Sequence, residues 1–378
     1  LRIGFDATPL AARKSGIGYY TENLLRGMAE IGEIEEILLF SNRPPRFEGT
    51  PPPGMRWVSR HRFPYRAPWM QLLLPWTLRR ERPDLVHYVN FNAPILHPHP
   101  FVATFHDMVL YRHPEFFTWK KRYLTRSLMP RVARRARGVI TVSETVKREI
   151  VEGIGIDERR VHVVANAAGG GFRPVEDEAT VRSILEKHGV RRPYVLFVGT
   201  LEPRKNLARL LAAFDEMKSG ADLPHELVVV GGRGWKFAPI LRAVERLENR
   251  ALVRFLDYVD LRDMPAVYSA ADLFVFPSIY EGFGIPILEA MRCGTPVLAS
   301  DIPVHREVAG DAAGWCDPLS PASIRTEMRR ILENAGIAER LRAAGLRRAE
   351  GFSWTRAARE TTEVYRRVLG TPDPAGSR

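Results

Sequence analysis

At 378 residues, with 45% hydrophobic and 26% charged side chains, the sequence has a globular composition and the length of two domains, because single cores stop growing near ~250 residues. No apolar run approaches the ~20 residues of a bilayer span, and Cys293 and Cys316 lie away from metal-ligand spacing, which argues against a membrane-spanning, disulfide-knit or zinc-built protein. Net charge is +12 but unevenly placed: residues 1–170 hold 26 Lys and Arg against 16 Asp and Glu, and residues 56–137 alone hold 16 against 4, which favours an anionic partner for the first half.

In chain order, residues 2–7 read as a buried strand without the flanks of a signal peptide, so a cytoplasmic location is expected. The next loop leads into Ser15-Gly16-Ile17-Gly18 and a helix to about residue 31. Gly16 and Gly18 permit close approach, and free amides at a helix start stabilise a diphosphate. It is a poor nicotinamide fingerprint, because position 21, where a third glycine belongs, is Thr. Further strands are expected at 34–40, 85–88, 101–105, 138–142 and 161–165, with amphipathic helices between most of them. The strand at 101–105 runs into His106, which can donate a hydrogen bond to a sugar hydroxyl or phosphate, or shuttle a proton.

Glycines at 169–171 and the charged stretch 176–192 mark a hinge, so the domains are expected at 1–168 and 169–354. A second strand series occupies 194–198, 227–230, 253–256, 273–276, 296–299 and 314–316. Two such βαβ series predict an α/β protein of two Rossmann-like, doubly wound parallel sheets facing across a cleft. After Pro321 the pattern is helical; a last amphipathic segment, 355–370, is a candidate to cross back onto the first domain, and 371–378 reads as a flexible tail.

The chemistry falls just after strands of the second series. Gly199-Thr200-Leu201-Glu202-Pro203-Arg204-Lys205-Asn206 places two cations ahead of a helix, an anion clamp in which Arg204 is a fork and Lys205 a point charge. After 273–276 comes Glu281 in a glycine-rich loop, Gly282-Phe283-Gly284, whose amides can face phosphate or sugar. Glu289 lies two turns further on in an otherwise apolar helix, where a carboxylate needs hydrogen-bond donors such as a ribose diol.

With these residues in hand, the chain resembles the retaining family-4 glycosyltransferases of the GT-B type, whose hallmark E-x7-E is matched by Glu281 through Glu289. The Gly16–Gly18 loop, His106, the Pro203–Asn206 clamp and the stretch from Glu289 to Val297 match in family order. The resemblance implies that Glu281 holds donor-sugar hydroxyls, Glu289 the ribose, Arg204 and Lys205 the diphosphate, and Gly282, Phe283 and Gly284 the sugar and distal phosphate. It also implies that Tyr258 and Val259 meet the nucleobase and that His106 contacts the donor sugar. The donor is then a nucleoside-diphosphate sugar used without cofactor or divalent metal. The runs 102–108 and 199–206 look most like mannosyltransferases using GDP-mannose; UDP- or dTDP-sugar donors and a GT-B-type sugar-nucleotide epimerase remain open. The acceptor is expected to be a saccharide or lipid-linked saccharide of polysaccharide or glycolipid biosynthesis. Aromatic and basic side chains interleaved within 56–137 suggest peripheral contact with anionic membrane. Nucleic acid is not an expected partner, since no reading motif accompanies the charge.

Overall fold

The computed structural model describes residues 1–370 except 12, 13, 15, 59–62, 221–222 and 235–237. The expected tail at 371–378 and Ser15 of the first glycine loop lie outside the described residues. The chain forms two compact units, one of Leu1–Asn166 with the segment from Ser353 onward, the other of Ala167–Phe352.

The first unit is built on a seven-stranded sheet. Its strands are β1 (Arg2–Asp6), β2 (Glu36–Phe40), β3 (Met55–Trp57), β4 (Leu85–Tyr88), β5 (Phe101–Phe105), β6 (Gly138–Thr141) and β7 (Val161–Val163). They run parallel in the order β3-β2-β1-β4-β5-β6-β7. Strands β4, β5 and β6 are buried throughout, as the uninterrupted apolar runs of a doubly covered parallel sheet require. The second unit holds a six-stranded parallel sheet of β8 (Tyr194–Val198), β9 (Glu226–Val230), β10 (Val253–Leu256), β11 (Leu273–Phe276), β12 (Val297–Ser300) and β13 (Gly314–Cys316), in the order β10-β9-β8-β11-β12-β13. In both sheets the order reverses beside the first strand, between β1 and β4 and between β8 and β11, which is where open α/β sheets bind ligands.

The sequence pattern misses β3. Met55-Arg56-Trp57 is a short edge strand with two exposed residues, so it lacks the apolar run that marks its neighbours.

The segment expected at 355–370 is the helix Trp354–Gly370, and it packs within the first unit. Its Ala357, Ala358, Val364, Tyr365 and Val368 share a core with Tyr20, Leu24, Leu25 and Met28 of the helix Gly16–Ile31. The helices approach closely at Gly27, where a Cβ would lie 2.5 Å from the Trp354 carbonyl oxygen. A buried polar chain ties this helix to the sheet: the Tyr365 hydroxyl lies 2.6 Å from Nδ1 of His87, Nε2 of His87 lies 2.7 Å from Oγ1 of Thr104, and Thr104 meets the Tyr20 hydroxyl at 3.1 Å.

Candidate functional site

At the switch point of the second sheet, the loops that leave β8 and β11 are stapled together. Asn206, held in the left-handed region at φ 63°, ends the short 3-10 turn Pro203–Lys205 and donates from Nδ2 to the carbonyl oxygens of Pro277 at 2.9 Å and Pro318 at 2.6 Å. The amide of Ile279 donates to the Arg204 carbonyl at 2.9 Å. These bonds bring side chains more than seventy residues apart into one cluster. Nη1 of Arg204 donates to Oε2 of Glu281 at 2.5 Å and to the Tyr280 carbonyl at 3.0 Å, while Nζ of Lys205 donates to Oε1 of Glu281 at 2.6 Å. Arg204 also meets Oε1 of Glu202 at 2.7 Å, and Nζ of Lys205 stands 4.8 Å from the Phe276 ring centre.

Two cations and two carboxylates thus share a nearly dry space. Burial alone would push the Glu281 carboxyl up, but Arg204 and Lys205 outweigh it and hold the carboxyl at about 2. Burial pushes Glu202 up, against the pull of Arg204 and Lys205. Burial likewise pulls the Lys205 ammonium below the usual lysine range, yet contact with an ionised Glu281 keeps the pair charged. The cluster is electrically balanced as it stands, so an arriving diphosphate competes with Glu281 for the same two donors.

Beyond Glu281, Gly284 takes φ 114° and ψ 52°, a backbone that only glycine adopts without strain, and it opens the helix Ile285–Arg292 with no side-chain cap. Phe283 is buried and packs edge-on to Phe352, centroids 6.0 Å apart, which anchors the loop between Gly282 and Gly284. Glu289 lies on that helix, half-buried, with Oε2 accepting from the Tyr268 hydroxyl at 3.0 Å. Burial pushes its carboxyl up to about 7. Of the two acids of the E-x7-E pair, Glu281 therefore stays charged and Glu289 titrates near neutrality. Gly199 directly follows β8, where its amide donates to the Val230 carbonyl at 2.9 Å. Val259 is buried and Tyr258 is 57% exposed; both lie just after β10, the sheet-edge strand, two strands from β8.

The remaining expected residues belong to the first unit, at the carboxyl edge of its own sheet. Gly16 is exposed at the start of its helix, and Gly18 is buried against Lys14 and the Pro9 carbonyl. His106 directly follows β5, with its ring edge-on to Tyr20, centroids 4.6 Å apart. Its Nε2 lies 2.8 Å from the Val89 carbonyl oxygen, and since a carbonyl only accepts, Nε2 carries the proton. Burial pulls this imidazole below the usual histidine range, so it is neutral and Nδ1 is an acceptor. That narrows the role expected from sequence: with its N–H committed to Val89, His106 can accept from a sugar hydroxyl but has no proton left to donate to phosphate.

Glu202 takes no role from the sequence pattern, although an acid two residues ahead of Arg204 is a visible signal. His305 belongs to no motif, and Ser278 opens the stretch that carries Glu281 but takes no role from it. Both are fully buried; Nδ1 of His305 lies 3.2 Å from the Ser300 carbonyl oxygen, while its Nε2 and the Ser278 hydroxyl have no hydrogen-bond partner among the described residues. No spacing rule in the sequence brings residue 305 toward Glu281. Among the described residues no group of three or more His, Cys, Asp or Glu is arranged to hold a metal ion.

Two family models match. Residues 14–168 match glycosyltransferase family 4, and residues 182–348 match glycosyl transferases group 1. The O-antigen chain mannosyltransferase B of Escherichia coli is 32% identical across 97% of this chain and 100% of its own length. Among solved structures, sucrose-phosphate synthase from Thermosynechococcus elongatus superposes with a TM-score of 0.75 at 18% identity, covering 97% of this chain and 99% of that one. An Anabaena protein solved in complex with UDP and glucose superposes with a TM-score of 0.74 at 18% identity over 97% of this chain and 100% of that one.

Proposed function

The chain belongs to the family-4, group 1 glycosyltransferases, and from that premise we propose that it is a retaining, metal-independent mannosyltransferase taking mannose from GDP-mannose. The observation that carries the reading is the Arg204–Lys205–Glu281 cluster at the switch point of the second sheet. The departing diphosphate needs its charge neutralised, and Arg204 and Lys205 supply two positive donors there without a metal ion. When phosphate takes those donors, the Glu281 oxygens are released to accept from sugar hydroxyls. Glu289 accepts from the ribose diol, Gly282 to Gly284 offer backbone donors to the sugar and distal phosphate, and Gly199 lets the chain approach closely. Tyr258 and Val259 border the base; in the first unit, the Gly16–Gly18 loop offers amides to phosphate and Nδ1 of His106 accepts from a sugar hydroxyl. Phosphate oxygen deprotonates the acceptor on the face the leaving group departs from, so the anomeric configuration is retained with no carboxylate nucleophile.

The mannose assignment is supported by the O-antigen mannosyltransferase, which aligns over nearly its whole length. A UDP-sugar donor is the second reading, favoured by the Anabaena neighbour solved with UDP and glucose. We place the acceptor among saccharides of polysaccharide or glycolipid assembly, met at an anionic membrane face. No described helix is long and apolar enough to cross a membrane. Yet Trp76, Trp119, Tyr123 and Leu124 are 62–76% exposed in a stretch rich in Lys and Arg, which suits interfacial contact.

Thermal stabilisation by GDP, UDP, dTDP, ADP and NAD decides the donor, since a ligand that binds only the folded state raises its stability. GDP is expected to shift the wild type and to lose that effect on Lys205→Ala and Glu289→Ala. A shift by UDP alone would move the assignment to the second reading, and no shift by any nucleoside diphosphate would sink both.

A further inference from the structure

Loops at the ends of three neighbouring strands of the first sheet border a half-open cleft of about 570 Å³. Ala11 comes from the loop after β1, Arg43, Pro44 and Arg46 from that after β2, and Phe63 and Pro64 from that after β3. Hydrogen bonds to the backbone brace it. Buried Asn42 donates from Nδ2 to the Phe63 carbonyl at 2.8 Å, its own carbonyl accepts from the Phe63 amide at 2.9 Å, and the Arg46 amide donates to the Leu10 carbonyl at 2.9 Å.

The cleft's described lining residues carry two guanidinium groups and no carboxylate. Arg43 makes one long contact, 3.5 Å to the Pro64 carbonyl, and neither arginine forms an ion pair among the described residues. Elsewhere in the same unit Arg2, Lys14, Arg26, Arg56 and Arg112 are each matched with a glutamate. A guanidinium fork suits phosphate oxygens two at a time, and Phe63 with the two prolines offers a stiff apolar wall for a ring or an alkyl chain. The pocket sits at the carboxyl edge of a doubly wound sheet, where such folds receive ligands. The donor diphosphate has its own pair of cations in the second unit, so a second anion site calls for a second anionic substrate.

We propose that the Arg43–Arg46 pocket binds a phosphate group carried by the saccharide acceptor. The proposal rests on the glycosyltransferase reading for the word acceptor; the anion preference itself does not depend on it. Calorimetric titration with three probes, octyl mannosyl phosphodiester, mannose 1-phosphate and neutral octyl mannoside, is run with saturating GDP and again without nucleotide. The wild type is expected to bind at least one phosphorylated probe tenfold or more tighter than the neutral glycoside. Arg43→Gln/Arg46→Gln should abolish that preference and leave GDP affinity unchanged; both positions are exposed, so the variant keeps its fold. Preference for the octyl diester identifies a lipid-linked acceptor, and equal binding of the two phosphorylated probes a soluble one. Equal affinity of the wild type for charged and neutral probes, or a preference that survives in the double variant, overturns the proposal. Absence of GDP binding would count against the donor reading alone, because the nucleotide-free titration still decides the pocket.

Discussion

Glu281 is bonded to the same two side chains that a diphosphate would seek, so its charge both builds the site and competes with the ligand. Glu281→Gln keeps the shape and removes that competitor. Bare nucleoside diphosphate is expected to bind the variant about tenfold tighter, the worth of one charge-assisted hydrogen bond, while glycosyl transfer falls by about a hundredfold or more. Calorimetry and initial rates check the two halves, and weaker diphosphate binding in the variant would show that Glu281 only organises the cations. The sequence displayed Arg204, Lys205 and Glu281, since strand, glycine, cations and E-x7-E stood in order, but assigned Glu202 no role. What it could not display was the pairing. That Glu281 accepts from Arg204 and Lys205, or that His106 spends its proton on Val89, depends on distances fixed by other loops.

At the scale of elements, strands such as Leu85–Tyr88 and Phe101–Phe105 were legible because burial on both faces writes a continuous apolar run. Met55–Trp57 was not, because an exposed edge strand writes none. The helix Trp354–Gly370 was legible as amphipathic, but its polar anchor to His87 was invisible in a residue that sequence alone placed inside a strand. Tyr365→Phe leaves the His87 nitrogen without its partner and is expected to cost about 1–3 kcal/mol, measured by urea unfolding at pH 8. Burial holds the His87 imidazole down at about 3, so its stabilising effect is complete above the unfolded value near 6.5 and is lost as pH falls below that value toward 3. Wild-type stability should therefore decline between pH 6.5 and pH 4, and a flat profile across that range would contradict the buried neutral ring.

For the whole molecule, the excess of positive charge in residues 1–170, 26 against 16, bears on association. The protein is expected to float with vesicles containing about a third phosphatidylglycerol at 50 mM salt, to stay behind with pure phosphatidylcholine, and to dissociate as salt screens the contact. Trp119→Glu/Tyr123→Glu, both on an exposed helix face, should reduce flotation severalfold at unchanged melting temperature; flotation indifferent to lipid charge would refute the membrane contact. The return of Trp354–Gly370 to the first unit also sets an order of assembly on the ribosome. The first unit has Leu1–Asn166 in hand early but cannot complete its core until residues 353–370 have been made. At the usual ~5–20 residues per second that is a wait of roughly ten to forty seconds, during which the helix Gly16–Ile31 presents an uncovered apolar face. The inserted unit, Ala167–Phe352, is whole before its host, so the part of the chain that starts first finishes last, and nascent-chain chaperones should engage the earlier half for longer.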